Sequence, residues 1–216
     1  MKLIDWILDI LYPPKCTMCR EVLGQKDKHI CPKCQKVLPT TKNGGVLKGN
    51  FFTVCVSPLY YEDMVREALL RYKFHRMTSY AEFFGTQIAK CAEEYIESEV
   101  DIISWVPLSK QRLRKRGYDQ AQLLAEIVSQ QLGIPCIPVL VKVRNVSPQS
   151  KIGDAAKRRS NIAGAYSIID DETIAGKKIL LIDDIVTTGS TFSECARTLG
   201  SSGAEKVYCA AAARKR

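Results

Sequence analysis

The segment of residues 178–191, KILLIDDIVTTGST, constrains the fold of this chain more than any other feature of the sequence. Its first residues are apolar in an unbroken run, which fits a strand buried on both faces at the centre of a parallel sheet. We expect this strand to end at Asp183 and Asp184 and to be followed by a short turn and a helix. Ligands of open α/β sheets bind outside the carboxyl ends of the strands. The segment therefore predicts an α/β domain with a ligand site at this strand end.

The turn and the start of the helix have the residue types of a phosphate cradle. Backbone N–H groups at a helix N-terminus bind phosphate, and Gly189 lets the backbone approach a ligand closely. We expect Thr191 and Glu194 to form a capping box at the helix start. Two carboxylates beside such a cradle suit a sugar diol or Mg²⁺ that carries phosphates. Hydroxyl donors are supplied by Thr187, Thr188, Ser190 and Thr191.

Two other phosphate-binding motifs are excluded, because the chain contains neither G-x-x-x-x-G-K-[ST] nor G-x-G-x-x-G. The simpler alternative is that Asp183, Asp184 and the threonines serve only as turn and cap residues. A paired carboxylate followed by a dense run of hydroxyl groups favours the ligand site.

Strand and helix patterns alternate along the rest of the chain from about residue 51. Such alternation predicts parallel strands joined by crossover helices, and hence an α/β domain. The predicted strands span residues 52–60, 101–106, 136–143, 165–169, 178–182 and 206–213. The predicted helices span residues 62–73, 81–97, 118–132 and 191–199.

Four cysteines near the N-terminus form two C-x₂-C pairs, namely Cys16, Cys19, Cys31 and Cys34. Two such pairs can supply the four thiolates of a tetrahedral zinc site, and a closed set of ligands indicates a structural metal. The alternative is free buried thiols, but a segment this short with few large apolar residues would scarcely fold without a metal. The other five cysteines are scattered and are interpreted as small buried apolar residues.

The chain divides into a small N-terminal module and a larger domain. Residues 3–11 form an apolar helical stripe, and residues 39–50 have the composition of a linker. We predict an N-terminal helix and zinc module over 1–40, a linker over 41–50 and the α/β domain over 51–216. No stretch reaches the roughly 18 apolar residues of a membrane span, and no signal-peptide cleavage site follows the first helix, so we expect a cytoplasmic protein.

The net charge of +9 implies acidic partners, and the 46% of hydrophobic residues excludes a disordered chain. Three interpretations of the basic stretch over 110–116 remain open. It is a solvated helix entry, a binding site for pyrophosphate, or a track for the backbone of single-stranded DNA. Tyr118 is the only aromatic residue close by in sequence, although such tracks usually pair cations with aromatic rings. Residues 157–159 carry the same ambiguity.

The segment 178–191 resembles the phosphoribosyl-pyrophosphate (PRPP) signature of type I phosphoribosyltransferases. The wider chain resembles the ComF (ComFC-like) family of competence-associated proteins. The resemblance also rests on the four-cysteine module, on Val106-Pro107-Leu108 and on RGYDQAQLLA from Arg116. Asp119 departs from the Asn that we expect in the family. The remaining matches are Arg144, Pro148-Gln149-Ser150, Arg158, Asn161 and Gly164-Ala165-Tyr166.

The resemblance implies roles for individual residues. Asp183 and Asp184 would hold the ribose hydroxyls as the catalytic pair, with Mg²⁺ bound together with PRPP. The 5′-phosphate would lie on Thr187, Thr188, Gly189, Ser190 and Thr191. The pyrophosphate would lie on Pro107, Leu108 and Ser109. Residues 144–161 would close over the site. Further contacts to pyrophosphate or nucleic acid would come from Arg112, Arg114, Arg116, Arg144 and Arg158.

Two functions follow from this resemblance. The first is a Mg²⁺-dependent, PRPP-binding phosphoribosyltransferase-like protein that acts in DNA uptake during natural transformation. Its chemistry needs positioning and charge more than a protein nucleophile, because pyrophosphate leaves the ribose as positive charge develops on the sugar. The second is a non-catalytic, PRPP-responsive adaptor that binds single-stranded DNA or a DNA-translocating helicase. Turnover of PRPP with an acceptor base would distinguish the two.

Overall fold

A computed structural model describes residues 13–24, 27–96, 99–144 and 164–216. Two predictions fall wholly or mainly elsewhere. The N-terminal helix over 3–11 lies outside the described residues, and so does most of the predicted closing loop, including Arg158.

The regular elements of the described residues alternate much as the sequence predicts. The strands are β1 (Cys55–Val56), β2 (Leu59–Tyr60), β3 (Ile102–Trp105), β4 (Leu140–Lys142), β5 (Tyr166–Ile168), β6 (Lys178–Val186) and β7 (Lys206–Arg214). The α-helices are α1 (Pro32–Lys36), α2 (Asp63–Phe74), α3 (Tyr80–Tyr95), α4 (Lys110–Arg116), α5 (Gln120–Leu132), α6 (Asp171–Ile174) and α7 (Ser190–Ser201).

Five of these strands form a parallel sheet, which confirms the predicted fold class. Its order is β1–β7–β6–β3, and β2 pairs with β7 further along the same edge. Central strand β6 is paired on both sides, and Ile179, Leu180, Leu181 and Ile182 are all buried. A strand covered by helices on both faces needs apolar residues at every position, as this run provides.

Successive residues of β6 supply two separate cores, because alternate side chains of a strand point to opposite faces. Leu180 and Ile182 pack with the side chains of α2, α3 and α5. Ile179 and Leu181 pack with α7 on the other face. Helices α3 and α5 approach closely, since a Cβ on Gly85 would lie 2.6 Å from Ile127 Cβ.

Three predictions about the strands are corrected by the structure. The strand predicted over 52–60 is split into β1 and β2, with Pro58 between them. Strand β6 does not end at Asp183 but continues to Val186, because β7 is equally long and pairs with it as far as Arg214. Strands β4 and β5 form a separate antiparallel pair rather than joining the parallel sheet.

The segment predicted as a linker over residues 41–50 is fastened to the edge of the sheet. Leu47 and Cys55 form an isolated antiparallel bridge, and Arg214 Nη1 donates to Gly45 O at 2.8 Å. Gly44 has a φ of 63° and leaves no room for a Cβ beside the Tyr95 ring. Among the described residues, no helix is both long enough and apolar enough to cross a membrane.

Candidate zinc centre and phosphate-binding site

The four cysteines predicted to bind a metal meet at one point. Their Sγ atoms all lie within 4.8 Å of one another, and Cys19 Sγ is 3.7 Å from Cys31 Sγ. Zn–S bonds of about 2.3 Å in a tetrahedron place the sulfur atoms roughly 3.8 Å apart. The arrangement therefore fits a four-thiolate zinc ion with no open coordination position, which indicates a structural metal.

Backbone N–H groups prepare this cluster for thiolate ligands. Cys31 N donates to Cys16 Sγ at 3.4 Å. Burial alone would raise the pKa of the Cys16 thiol, but hydrogen bonds from the backbone at Cys31, Cys19 and Met18 lower the pKa to about 7. A lowered pKa favours the thiolate, which is the form that binds zinc.

Asp183 and Asp184 lie near the carboxyl end of β6, and their surroundings differ. Asp184 is buried, and its Oδ2 is 2.9 Å from Lys73 Nζ at the end of α2. The Asp183 carboxylate accepts a hydrogen bond from Asp184 N at 2.8 Å. Burial and the adjacent charge of Asp184 raise the pKa of Asp183 well above its ordinary value, and Lys73 opposes this shift. A ligand that brings a cation or hydroxyl donors would relieve this crowding of carboxylates.

The turn after β6 leaves donors available for an anion. Gly189 has a φ of 71° and is the N-cap of α7, which has no side-chain cap. The first amides of a helix have no partner inside the helix, so this turn presents N–H groups that a phosphate can accept. Thr188 Oγ1 and Ser190 Oγ lie 3.1 Å apart at the same place.

The predicted capping box is wrong, because Glu194 is engaged elsewhere. Its Oε1 accepts from Gly164 N at 2.6 Å and is 2.7 Å from Arg197 Nη2. The Arg197 guanidinium holds the pKa of Glu194 below its ordinary value. Glu194 thus ties α7 to the start of the segment that leads into β5 instead of satisfying the N-terminus of α7.

A cavity of about 340 Å³ adjoins the turn and includes a lysine that the sequence analysis missed. It lies between residues 48–51 and the start of α7, and its lining includes Lys48, Thr188, Ser190 and Ser193. Lys48 belongs to the segment predicted as a linker. The positive charge of Lys48 comes close to the hydroxyl groups of this cavity only because that segment folds against the sheet.

The loop predicted to hold pyrophosphate starts beside the aspartates. Val106 N donates to Ile182 O at 3.0 Å, so residues 107–109 leave the sheet next to Asp183. Asp119 ties this loop to α5. One of its oxygens accepts from Leu108 N at 2.8 Å, and the other accepts from Ala121 N at 3.0 Å and Gln122 N at 3.4 Å.

The geometry gives a reason for an acid at position 119, where the resemblance suggested Asn. A carboxylate accepts on both oxygens, whereas an amide accepts only on one. Burial raises the pKa of Asp119, and its three backbone hydrogen bonds oppose that shift. From the sequence, Asp119 is only a departure from the family pattern, and its role in holding the loop is not evident there.

Cationic side chains from the end of α2, from the turn after it and from α4 line a second cavity, of about 440 Å³, which we call the basic groove. The Phe74 side chain is 61% exposed there, and the Arg116 guanidinium lies 5.0 Å from the centre of its ring. Arg116 also donates to Gln120 Oε1 at 2.6 Å. The lining residues are Lys73, Phe74, Arg76, Arg112, Lys115 and Arg116.

A third cavity, of about 370 Å³, brings Arg144 together with Ser109. It also contains Lys142, which the sequence analysis did not select. Lys142 Nζ is 3.0 Å from the Tyr166 hydroxyl, and burial lowers the pKa of the lysine. The predicted contact residues are therefore divided. Arg112 and Arg116 line the basic groove, Arg144 lines this cavity, and the exposed Arg114 lines neither.

Two family models match parts of the chain. Residues 119–216 match the phosphoribosyl transferase domain, and residues 7–44 match the double zinc ribbon domain. Competence protein ComFC of Bacillus subtilis is 29% identical over 198 residues, which cover 87% of this chain and 78% of that protein. Competence protein F of Haemophilus influenzae is 36% identical over 104 residues, or 47% of this chain and 45% of that protein. DNA utilization protein YhgH of Escherichia coli is 26% identical over 213 residues, covering 90% and 88%.

The zinc centre predicts a metal content that depends on the clustered cysteines alone. Elemental analysis of the purified protein should give about one zinc per chain, because the four thiolates complete one tetrahedral site. Cys31→Ser should lose most of this zinc. Cys136→Ser removes a cysteine outside the cluster and should retain it. Equal zinc contents in the two variants would contradict the assignment.

The two-sided hydrogen bonding of Asp119 predicts that Asn cannot replace it. Asp119→Asn leaves a backbone N–H without an acceptor and should destabilise the fold by about 1–3 kcal/mol in urea denaturation. Asp170 is an exposed N-cap whose Oδ1 accepts from Glu172 N at 3.1 Å. Its Oδ2 accepts from the Thr173 hydroxyl, which, unlike a backbone N–H, can turn to accept from an amide instead. Because Asn caps helices as well as Asp does, Asp170→Asn should change stability by only a few tenths of a kcal/mol. A neutral Asp119→Asn would show that the loop does not depend on this contact.

Proposed function

We propose that the chain binds PRPP with Mg²⁺ at the carboxyl edge of its sheet. It is similar to the ComFC competence proteins, residues 119–216 match the phosphoribosyl transferase domain, and residues 7–44 match the double zinc ribbon domain. The observation that carries the proposal is the convergence of three elements at this edge. They are the aspartates of β6, the uncapped N-terminus of α7 and the loop that follows β3.

Each of these elements suits one part of PRPP. Asp183 and Asp184 accept hydrogen bonds from a ribose diol, and carboxylates are strong acceptors. The amides and hydroxyl groups of residues 187–191 receive the 5′-phosphate, helped by the dipole of α7. The loop over 107–109 receives the pyrophosphate, and Asp119 holds that loop in place.

The residues around the site also fit the chemistry of phosphoribosyl transfer. Mg²⁺ held beside Asp183 and Asp184 would neutralise charge on the pyrophosphate as it leaves. With PRPP bound in this way, the carboxylates would lie near the ribose on which positive charge develops, and a preorganised charge of opposite sign stabilises such a transition state. Lys142 and Arg144, in the cavity shared with Ser109, supply positive charge on the pyrophosphate side.

The relatives suggest the process in which this site is used. They are called competence proteins and a DNA utilization protein. We propose that the chain acts in the uptake or use of DNA in the cytoplasm, as a PRPP-dependent phosphoribosyltransferase or as a PRPP-responsive adaptor. Release of pyrophosphate on addition of free nucleobases would support the enzyme. Binding of PRPP without release would support the adaptor.

The basic groove favours single-stranded DNA as the partner of the adaptor, alone or with a DNA-translocating helicase. Proteins that hold single strands combine cations along the backbone with aromatic rings on which bases stack. The groove has five cationic side chains and the exposed ring of Phe74. No acidic side chain lines this groove among the residues that the structure describes. Folding thus supplies the aromatic residue that the sequence around 110–116 lacked.

Calorimetric titration with PRPP and Mg²⁺ tests the first proposal. The wild-type protein should bind in the micromolar range. Asp183→Asn with Asp184→Asn should weaken binding by tenfold or more, because a hydrogen bond to a charged group is worth about 1.5–3 kcal/mol. Asp171→Asn with Glu172→Gln removes the same charge from exposed positions on α6 and should bind as the wild type does. Absence of binding to zinc-loaded, folded protein would refute the proposal.

Fluorescence anisotropy with a labelled oligothymidylate tests the proposal that the basic groove binds single-stranded DNA. Phe74→Ala should weaken binding by about 1–3 kcal/mol, the usual value of one base stacked on a ring. Arg116→Ala should weaken binding and flatten its salt dependence, because fewer counterions are released. Val37→Ala and Arg66→Ala remove exposed side chains elsewhere and serve as controls. Equal losses in the controls, or no binding by the wild type, would exclude the groove as a DNA site.

A further inference from the structure

The last turn of α2 contacts four different parts of the molecule through four consecutive side chains. Arg71 contacts the zinc module, Tyr72 contacts α5, Lys73 contacts β6, and Phe74 contacts α4. Because 3.6 residues make one turn of an α-helix, these four side chains leave the same turn in four directions. The turn therefore connects the zinc module physically to the candidate PRPP site.

Arg71 reaches the backbone between the first two cysteine ligands. Its Nη2 donates to Met18 O at 2.6 Å and to Thr17 O at 3.1 Å. Its guanidinium also lies 5.9 Å from the centre of the Tyr80 ring. Thr17 and Met18 are both buried. Since metal binding by Cys16 and Cys19 fixes the loop between them, the positions of these two carbonyl groups depend on the metal.

Two residues further along, the same turn supplies the cation next to Asp183 and Asp184. Lys73 Nζ is 2.9 Å from Asp184 Oδ2, and both side chains are mostly withdrawn from solvent, at 18% and 5% exposure. Tyr72 holds the turn between these contacts by donating to Gln120 O at 2.7 Å. An ion pair with so little exposure is not screened as surface pairs are, so its geometry affects the charge of the site.

We propose that Arg71 is a positioning residue through which the zinc-bound knuckle holds Lys73 against Asp184, so that zinc binding and PRPP binding strengthen each other. The inference rests on the proposed function for its ligand. Coupling between two sites is reciprocal in affinity, so PRPP must raise the affinity for zinc if zinc raises the affinity for PRPP. A typical coupling changes each affinity by about 5- to 150-fold.

Zinc release from the full chain into an excess of a chromogenic chelator measures this coupling, with Mg²⁺ present throughout. Saturating PRPP should slow release about fivefold or more in the wild-type protein, because differences in affinity lie mostly in the dissociation rate. In Arg71→Met the rate should be the same with and without PRPP. Arg66→Met, on the exposed face of the same helix, should behave as the wild type does. An undiminished PRPP effect in Arg71→Met would overturn the proposal, and so would an absent effect in a wild-type protein that binds PRPP.

A conservative variant at the same position keeps the result interpretable. If Arg71→Met does not retain zinc, Arg71→Lys, which keeps a donor for one carbonyl, should retain zinc and show a reduced PRPP effect. An effect as large as that of the wild type would count against Arg71 as the link.

Asp184→Asn tests the coupling without PRPP and so separates it from the proposed function. Loss of the Lys73 ion pair should speed zinc release several-fold relative to Asp171→Asn, the exposed control. An unchanged rate would overturn the coupling even if PRPP binds. Faster release in a protein that does not bind PRPP would refute the proposed function alone.

Discussion

The pairing of β6 with β7 and β3 is the constraint on which the rest of the molecule depends. It runs from Lys178 to Val186 on one side and covers four register positions on the other. Because all the strands of this sheet are parallel, the connections that leave β3 and β6 emerge at one edge. The aspartates, the turn before α7 and the loop after β3 meet there for that reason.

Short sequence patterns predicted the central strand and the metal cluster correctly, because neighbouring residues determine both. The apolar run over 179–182 identified the central strand, and two C-x₂-C pairs identified the metal cluster. The same patterns failed where pairing with a distant strand decided the outcome. The extension of β6 beyond Asp184 depends on the length of β7, and the separation of β4 from the main sheet depends on β5 as its partner.

The residues missed from the sequence share one property, which is that a distant segment gives them their role. Lys48 meets the hydroxyl groups of residues some 140 positions later, and Phe74 meets Arg116. Asp119 carried a local signal, since an acid just before a helix is a typical N-cap. Nothing in the local sequence indicated that its second oxygen would accept a hydrogen bond from Leu108 N. A role that depends on one contact with a residue distant in sequence is visible only in the folded structure.

The basic groove contains five of the chain's 32 lysines and arginines and adjoins the buried carboxylate of Asp184. Lys73 belongs to both groups of charges, because it lines the basic groove and pairs with Asp184. An anion in the basic groove and a ligand at Asp183 and Asp184 would both interact with the ammonium group of Lys73. The two proposed functions are consequently linked by one side chain, that of Lys73.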